Sequence, residues 1–160
     1  MTVKGRFRRW LWEPLLAQLR QGLSPARLAW TVAVGLALGV YPVLGVTTLL
    51  CLGVAQGAKL NQPVIHLVNQ AAYPLQLLLL VPFMKLGIAL IPGFHLRLGL
   101  AEMLRLLAAD PLGAIRSLWG ASWRGQLAWL LTAPPVAAAL ALILTPIFRA
   151  VARRLEARSA

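Results

Sequence analysis

The sequence predicts an all-α integral membrane protein: a small bundle with two proline-broken helical segments, interfacial amphipathic helices and a C-terminal transmembrane helix. Three observations carry this expectation. Of the 160 residues 59% are hydrophobic and 12% charged, with a mean hydropathy of +0.74, against roughly 25% charged in an average soluble domain. Three uncharged runs, residues 28–58, 60–84 and 125–148, each exceed the ~18 residues that mark a candidate membrane span. The net charge of +12 sits on basic residues that flank those runs, an arrangement suited to anionic headgroups. No basic face with interleaved aromatics is present, so nucleic acid is not an expected partner.

Residues 1–23 read as a basic amphipathic interfacial helix. Glu13 and Pro14 interrupt the apolar stretch too early for a signal peptide, and Phe7, Trp10, Trp12, Leu15 and Leu19 alternate with Arg8, Arg9 and Arg20. Residues 24–92 form the membrane core. Ser24 and Pro25 are an N-cap and a first-turn proline, and the helix they open should end at Tyr41-Pro42, where proline removes a donor and restricts the residue before it. From Leu28 to Val40 this helix is about 20 Å long at 1.5 Å per residue, short of the ~30 Å hydrocarbon core. A second half-helix over about residues 46–58 is equally short. One collinear helix across residues 28–58 would measure ~46 Å, so a hairpin that enters and returns, or a sharply kinked span, fits better.

Tyr73-Pro74 repeats the device 32 positions after Tyr41-Pro42. Two readings stand: an internal repeat, as in transporters built on paired broken helices, or the ordinary frequency of proline in membrane helices. Residues 93–125 spread Arg97, Glu102, Arg105, Arg116 and Arg124 among leucines and predict two interfacial helices divided at Asp110-Pro111, with Asp110 as a cap. Residues 126–148 are the transmembrane helix, kinked near Pro134-Pro135, and residues 149–160 a basic cytoplasmic tail. The six tryptophans fit an aromatic belt.

The stretch "SPARLAWTVAVGLALGVYPVLGVTTLLCLGVAQGAKLNQPV" joins a Ser-Pro helix start, a glycine-rich apolar helix, a proline-glycine break followed by Thr, a leucine-rich helix, a basic residue, and then Leu60, Asn61 and Pro63. In this pattern it resembles the bacterial membrane-protein family catalogued as domain of unknown function 2062. "VNQAAYPLQLLLL" is similar to the family's next segment, with Asn69 and Pro74 as its polar residue and its proline. The likeness covers residues 24 to 92 and the rest only as a general plan. It implies a small bacterial membrane protein, in a family sometimes joined or adjacent to sugar-transferring and cell-envelope enzymes, and it brings no established reaction.

Gln62, His66, Asn69, Gln70 and Tyr73 fall at i, i+4, i+7, i+8 and i+11, one helical face. A polar stripe in lipid is costly, so it should face protein or a water-filled cavity. Interhelical hydrogen bonding and a substrate path both account for it. Thr47 and Thr48 follow the first break, where a half-helix would present free N–H groups and a partial positive charge to an anion; their hydroxyls could instead satisfy the freed backbone.

The expected binding residues are therefore Tyr41, Pro42, Gly45, Thr47, Thr48, His66, Asn69, Gln70, Tyr73 and Pro74, with Arg27, Lys59 and Lys85 as headgroup contacts. All four acidic residues, Glu13, Glu102, Asp110 and Glu156, lie outside the uncharged runs, which argues against a carboxylate-coupled pump. No metal-ligand spacing, phosphate loop or catalytic triad is present, and neither an enzyme nor a cofactor or metal is expected.

Two functions fit these residues. One is transport or flipping of an anionic lipid or lipid-linked phosphate through the broken-helix site. The other is a non-transporting membrane module that recruits or organises envelope or sugar-transferring enzymes. Membrane lipids are the expected partners, and homo-oligomerisation is compatible with either function. The location expected is the bacterial inner membrane, multi-pass. Net charges of +5 over residues 1–27 (six basic, one acidic) and +3 over 149–160 (four basic, one acidic) put both termini in the cytoplasm.

Overall fold

The computed structural model describes residues 3–91 and 100–157, and these are helical throughout apart from short connections. Seven helices follow in order: α1 (Val3–Arg20), α2 (Pro25–Gly39), α3 (Thr47–Gly57), α4 (Gln62–Ala71), α5 (Tyr73–Leu90), α6 (Leu100–Ala109) and α7 (Pro111–Glu156). Local chemistry sets most of their ends. Ser24 is extended, with ψ 139°, and its hydroxyl accepts from the N–H of Arg27 at 3.3 Å, while Pro25 opens α2. Asn61 caps α4 through the N–H of Val64 at 3.0 Å, and Asp110 caps α7 through that of Gly113 at 3.0 Å. α3 closes with the N–H of Leu60 on the carbonyl of Ala55 and that of Lys59 on Gln56, a Schellman end. Lys59 takes the left-handed position, φ 52°, which glycine usually fills.

Helix α2 is the hub, packed on α4 and on α7. Gly35 and Gly39 let α4 approach: a Cβ at Gly39 would stand 2.6 Å from that of Ala72 and 3.3 Å from the Cα of Asn69. A hydrogen bond from the N–H of Asn61 to the hydroxyl of Thr31 (3.3 Å) and another from Asn61 Nδ2 to Gln18 Oε1 (2.7 Å) bring the start of α4 beside the start of α2 and the end of α1. The chain over residues 25–61 thus leaves one end of the bundle along α2 and returns to it along α3. Leu15, Leu28, Ala29, Val64, Val68 and Phe148 form a core cluster at that end, and Leu38, Cys51, Ala55 and Ile65 form a second one further along. α7 runs antiparallel to α2, with Phe148 near Leu28 and Trp129 beside Ala37.

Two helices, Tyr73–Leu90 and the Ser122–Glu156 part of α7, are long and apolar enough to cross a membrane. Only 22% of the most apolar stretch of each is buried. Their apolar surface therefore faces outward, and Leu142 (73% exposed) and Leu49 on α3 (69%) lie on the same kind of surface.

The C-terminal half corrects the expected segmentation. Residues 111–156 form one continuous 46-residue helix, in place of an interfacial helix ending at 125, a separate span over 126–148 and a tail from 149. Gly125 does not stop it because that glycine serves close approach: a Cβ there would meet Met84 of α5 at 3.3 Å. Pro134, Pro135 and Pro146 also lie inside it; the carbonyls they leave without donors, four residues back, belong to Leu130, Leu131 and Leu142, all exposed. Pro14 likewise lies inside α1. Residues 92–99, the opening of the segment expected to be interfacial, and the last three residues of the basic tail lie outside the described residues.

Candidate functional site at the α2–α3 connection

Residues 40–46 connect α2 to α3 about 20 Å from Leu28 along α2. The helices could not continue through them: Pro42 is buried, and Gly45 has φ +87°, a left-handed conformation that side chains disfavour. Such a connection frees the last carbonyls of α2 and the first N–H groups of α3, and the two sets are treated differently.

Of the last four carbonyls of α2, those of Leu36, Ala37 and Leu38 have partners. Val40 and Tyr41 donate their N–H groups to Leu36 and Leu38. The indole Nε1 of Trp129 donates to the carbonyl of Ala37 at 2.8 Å. Gln76, buried at the start of α5, donates Nε2 to the carbonyls of Tyr41 (2.8 Å) and Val43 (3.3 Å). The hydroxyl of Tyr41 donates to Gln126 Oε1 at 2.8 Å, and its ring meets that of Trp129 edge to face at 4.9 Å. Side chains from α5 and α7 thereby fix the connection from two directions.

The donors are not satisfied. Val46 stands at the N-cap of α3 and offers no side-chain acceptor, and the N–H groups of Thr47, Thr48 and Leu49 have no partner among the described residues. Neither threonine hydroxyl bonds the backbone here, unlike those of Thr31, Thr132 and Thr145, which donate to the carbonyl four residues back. Thr47 is buried and Thr48 exposed. Asn69 is 5% exposed, and its Oδ1 has no hydrogen-bond partner. Its position follows from register. Ile65 packs with both Leu38 and Cys51; one turn on from Ile65 is Asn69, one turn before Cys51 is Thr47, and Gly39 meets the Asn69 backbone. Asn69 and Thr47 therefore border the same connection.

The other expected site residues divide. Tyr41, Pro42, Gly45 and Thr47 belong to the connection or its edge, and Pro74 lies two residues before Gln76. The stripe on α4 is not brought inward as a unit. Gln62 donates to the carbonyl of Leu52 at 3.2 Å, with its Oε1 unpartnered, and His66 is half-buried. Gln70 and Tyr73 are exposed. Gln70 is about 100° from Asn69 around the helix, and Tyr73 lies beyond Ala72, the residue between α4 and α5. Arg27 and Lys59 come to the same end of the bundle. Lys85 does not: it follows Met84, which packs on Gly125.

Three residues of this site are not among the expected binding residues. Trp129 is not a belt tryptophan, because its N–H and ring both serve the connection. Gln76 and Gln126 are uncharged amides within or beside apolar runs, and that polarity is the signal that could have found them, since a buried amide needs partners. No family model matches the chain, and neither the curated proteins nor the solved structures give a match.

Proposed function

We propose that this protein is a small multi-pass bacterial inner-membrane protein that binds an anionic lipid or lipid-linked phosphate at the start of α3 and moves it between leaflets. The imbalance at residues 40–46 is the observation that supports this reading: most acceptors are satisfied by protein, while the N–H groups of Thr47, Thr48 and Leu49, beside Thr47 Oγ1, have no partner among the described residues. In hydrocarbon an unpaired backbone donor costs several kcal/mol, and a phosphate oxygen is the partner that a helix N-terminus favours.

On this reading α2 and α3 form a re-entrant hairpin that turns within the ~30 Å core, and the α4–α5 junction is the second broken segment. The ends of α1 and α7 lie at one end of the bundle, which suits cytoplasmic termini. Arg27 and Lys59 meet headgroups at that rim and Lys85 at another. The family catalogued as domain of unknown function 2062 remains the proposed relationship.

Thr47→Val tests the site. It keeps the shape, deletes the hydroxyl and should weaken binding of phosphatidylglycerol by ten- to a hundredfold, the value of roughly 1.5 to 3 kcal/mol for a hydrogen bond to a charged group, with the melting temperature unchanged. Lower stability with unchanged lipid binding would mean that Thr47 serves the backbone alone.

A second reading has its own support. Gln76, Gln126 and Trp129 hold the connection through four hydrogen bonds, a rigidity that suits a non-transporting module organising envelope or sugar-transferring enzymes. Binding without lipid movement would favour it.

A further inference from the structure

We infer that the end of the bundle where α1, α2, the α3–α4 turn and α7 meet is a headgroup site for a lipid carrying two phosphates, of the cardiolipin class. The inference rests on the membrane reading above but not on the site at Thr47.

Four cations from four elements converge there. Arg20 lies two residues after Gln18 and Lys59 two before Asn61, and these two amides are hydrogen-bonded at 2.7 Å. Thr31 donates its hydroxyl to the carbonyl of Arg27 at 2.7 Å and accepts from the N–H of Asn61. Arg149 follows Phe148, which is buried with Leu15 and Leu28. All four cations are exposed, and no ion pair joins any of them to a carboxylate among the described residues.

Arg20 and Lys59 lie at helix C-termini, where a cation offsets the carbonyl end of the helix and requires no ligand. Arg27 has no such explanation. It occupies the first turn of α2, where the helix N-terminus is itself positive and disfavours a cation. An anion seated beside Arg27 offsets that penalty. Trp12, 40% exposed and edge-on to Phe148 at 6.4 Å, supplies the amphipathic ring usual at headgroup level. One phosphodiester would leave three of the four charges unmatched, whereas a headgroup with two phosphates bridges cations from both sides of the hairpin base.

The test uses the full chain in phosphatidylcholine nanodiscs doped with cardiolipin or with phosphatidylglycerol at equal total phosphate, with protein-retained lipid measured by mass spectrometry. Cardiolipin should be retained in preference. Arg27→Gln and Lys59→Gln should each lower that retention about fivefold, the effect of one surface cation at an anionic leaflet. Arg27→Lys and Lys59→Arg should restore it, and Arg105→Gln, at an exposed position on α6, should leave it unchanged. Equal retention of the two lipids, or an equal loss from Arg105→Gln, would reduce the cluster to general attraction and overturn the inference. Alkaline carbonate extraction of cell membranes separates the premises: release of the protein would defeat the membrane reading itself, whereas a retained protein without lipid preference would defeat only this inference.

Discussion

The hydroxyl of Tyr41 donates a 2.8 Å hydrogen bond to Oε1 of Gln126, 85 positions further along the chain. The pair ties the connection after α2 to the helix that runs antiparallel to it. Tyr41→Phe removes the donor and leaves the Gln126 acceptor without it, so it should cost about 1 kcal/mol. Gln126→Leu should cost a similar amount, and the double variant less than their sum, because the two share one interaction. Thermal unfolding in mild detergent measures all three.

Gln76 should matter more. Its amide serves two carbonyls of the connection from a buried position, and Gln76→Leu leaves both to be desolvated without it. A loss of roughly 1 to 3 kcal/mol is expected, read as a lower unfolding temperature and as faster protease cleavage within residues 40–46.

Two glycine substitutions should have opposite signs. Gly39→Ala brings a Cβ to 2.6 Å from that of Ala72 and forces α2 and α4 apart, at about 1 to 3 kcal/mol. Gly53→Ala, in the middle of α3 with nothing within 4 Å of the added carbon, should stabilise by about 0.5 to 1 kcal/mol through helix propensity. Equal effects in unfolding experiments would contradict the α2–α4 contact.

Asn69→Leu probes the unpartnered acceptor. Because Oδ1 makes no hydrogen bond among the described residues, removing it should leave the stability of lipid-free protein unchanged or raise it by about 1 kcal/mol. A marked loss in the same unfolding assay would show that the amide is held by the protein after all.

What the sequence reveals follows from the range of each interaction. The Ser24 and Asp110 caps were readable because a cap and its donor lie three residues apart. The helical class was readable because apolar runs of this length leave the backbone few other ways to satisfy itself. The partners of the connection were not, since Trp129 reaches Ala37 across 92 positions and Gln126 reaches Tyr41 across 85, and no local pattern encodes such pairings. The continuity of α7 was missed for a related reason. Charges before residue 125 and apolar residues after it suggested two environments, but a change of environment is not a helix stop, and Gly125 serves a contact with α5 that only the packed structure reveals. The α4 stripe misled because its members span more of the helix circumference than the buried face does, with Gln70 about 100° from Asn69.

Passage of an anionic lipid across the membrane by way of residues 40–46 and the start of α3 is the function proposed above. Its most direct test is dithionite quenching of fluorescent phosphatidylglycerol in vesicles reconstituted with the protein. Quenching should proceed beyond the outer-leaflet half, and Thr47→Val and Pro42→Ala should slow it while the reconstituted protein remains folded. Quenching that stops at the outer leaflet, as in protein-free vesicles, would contradict transport and leave the organising module as the function to pursue.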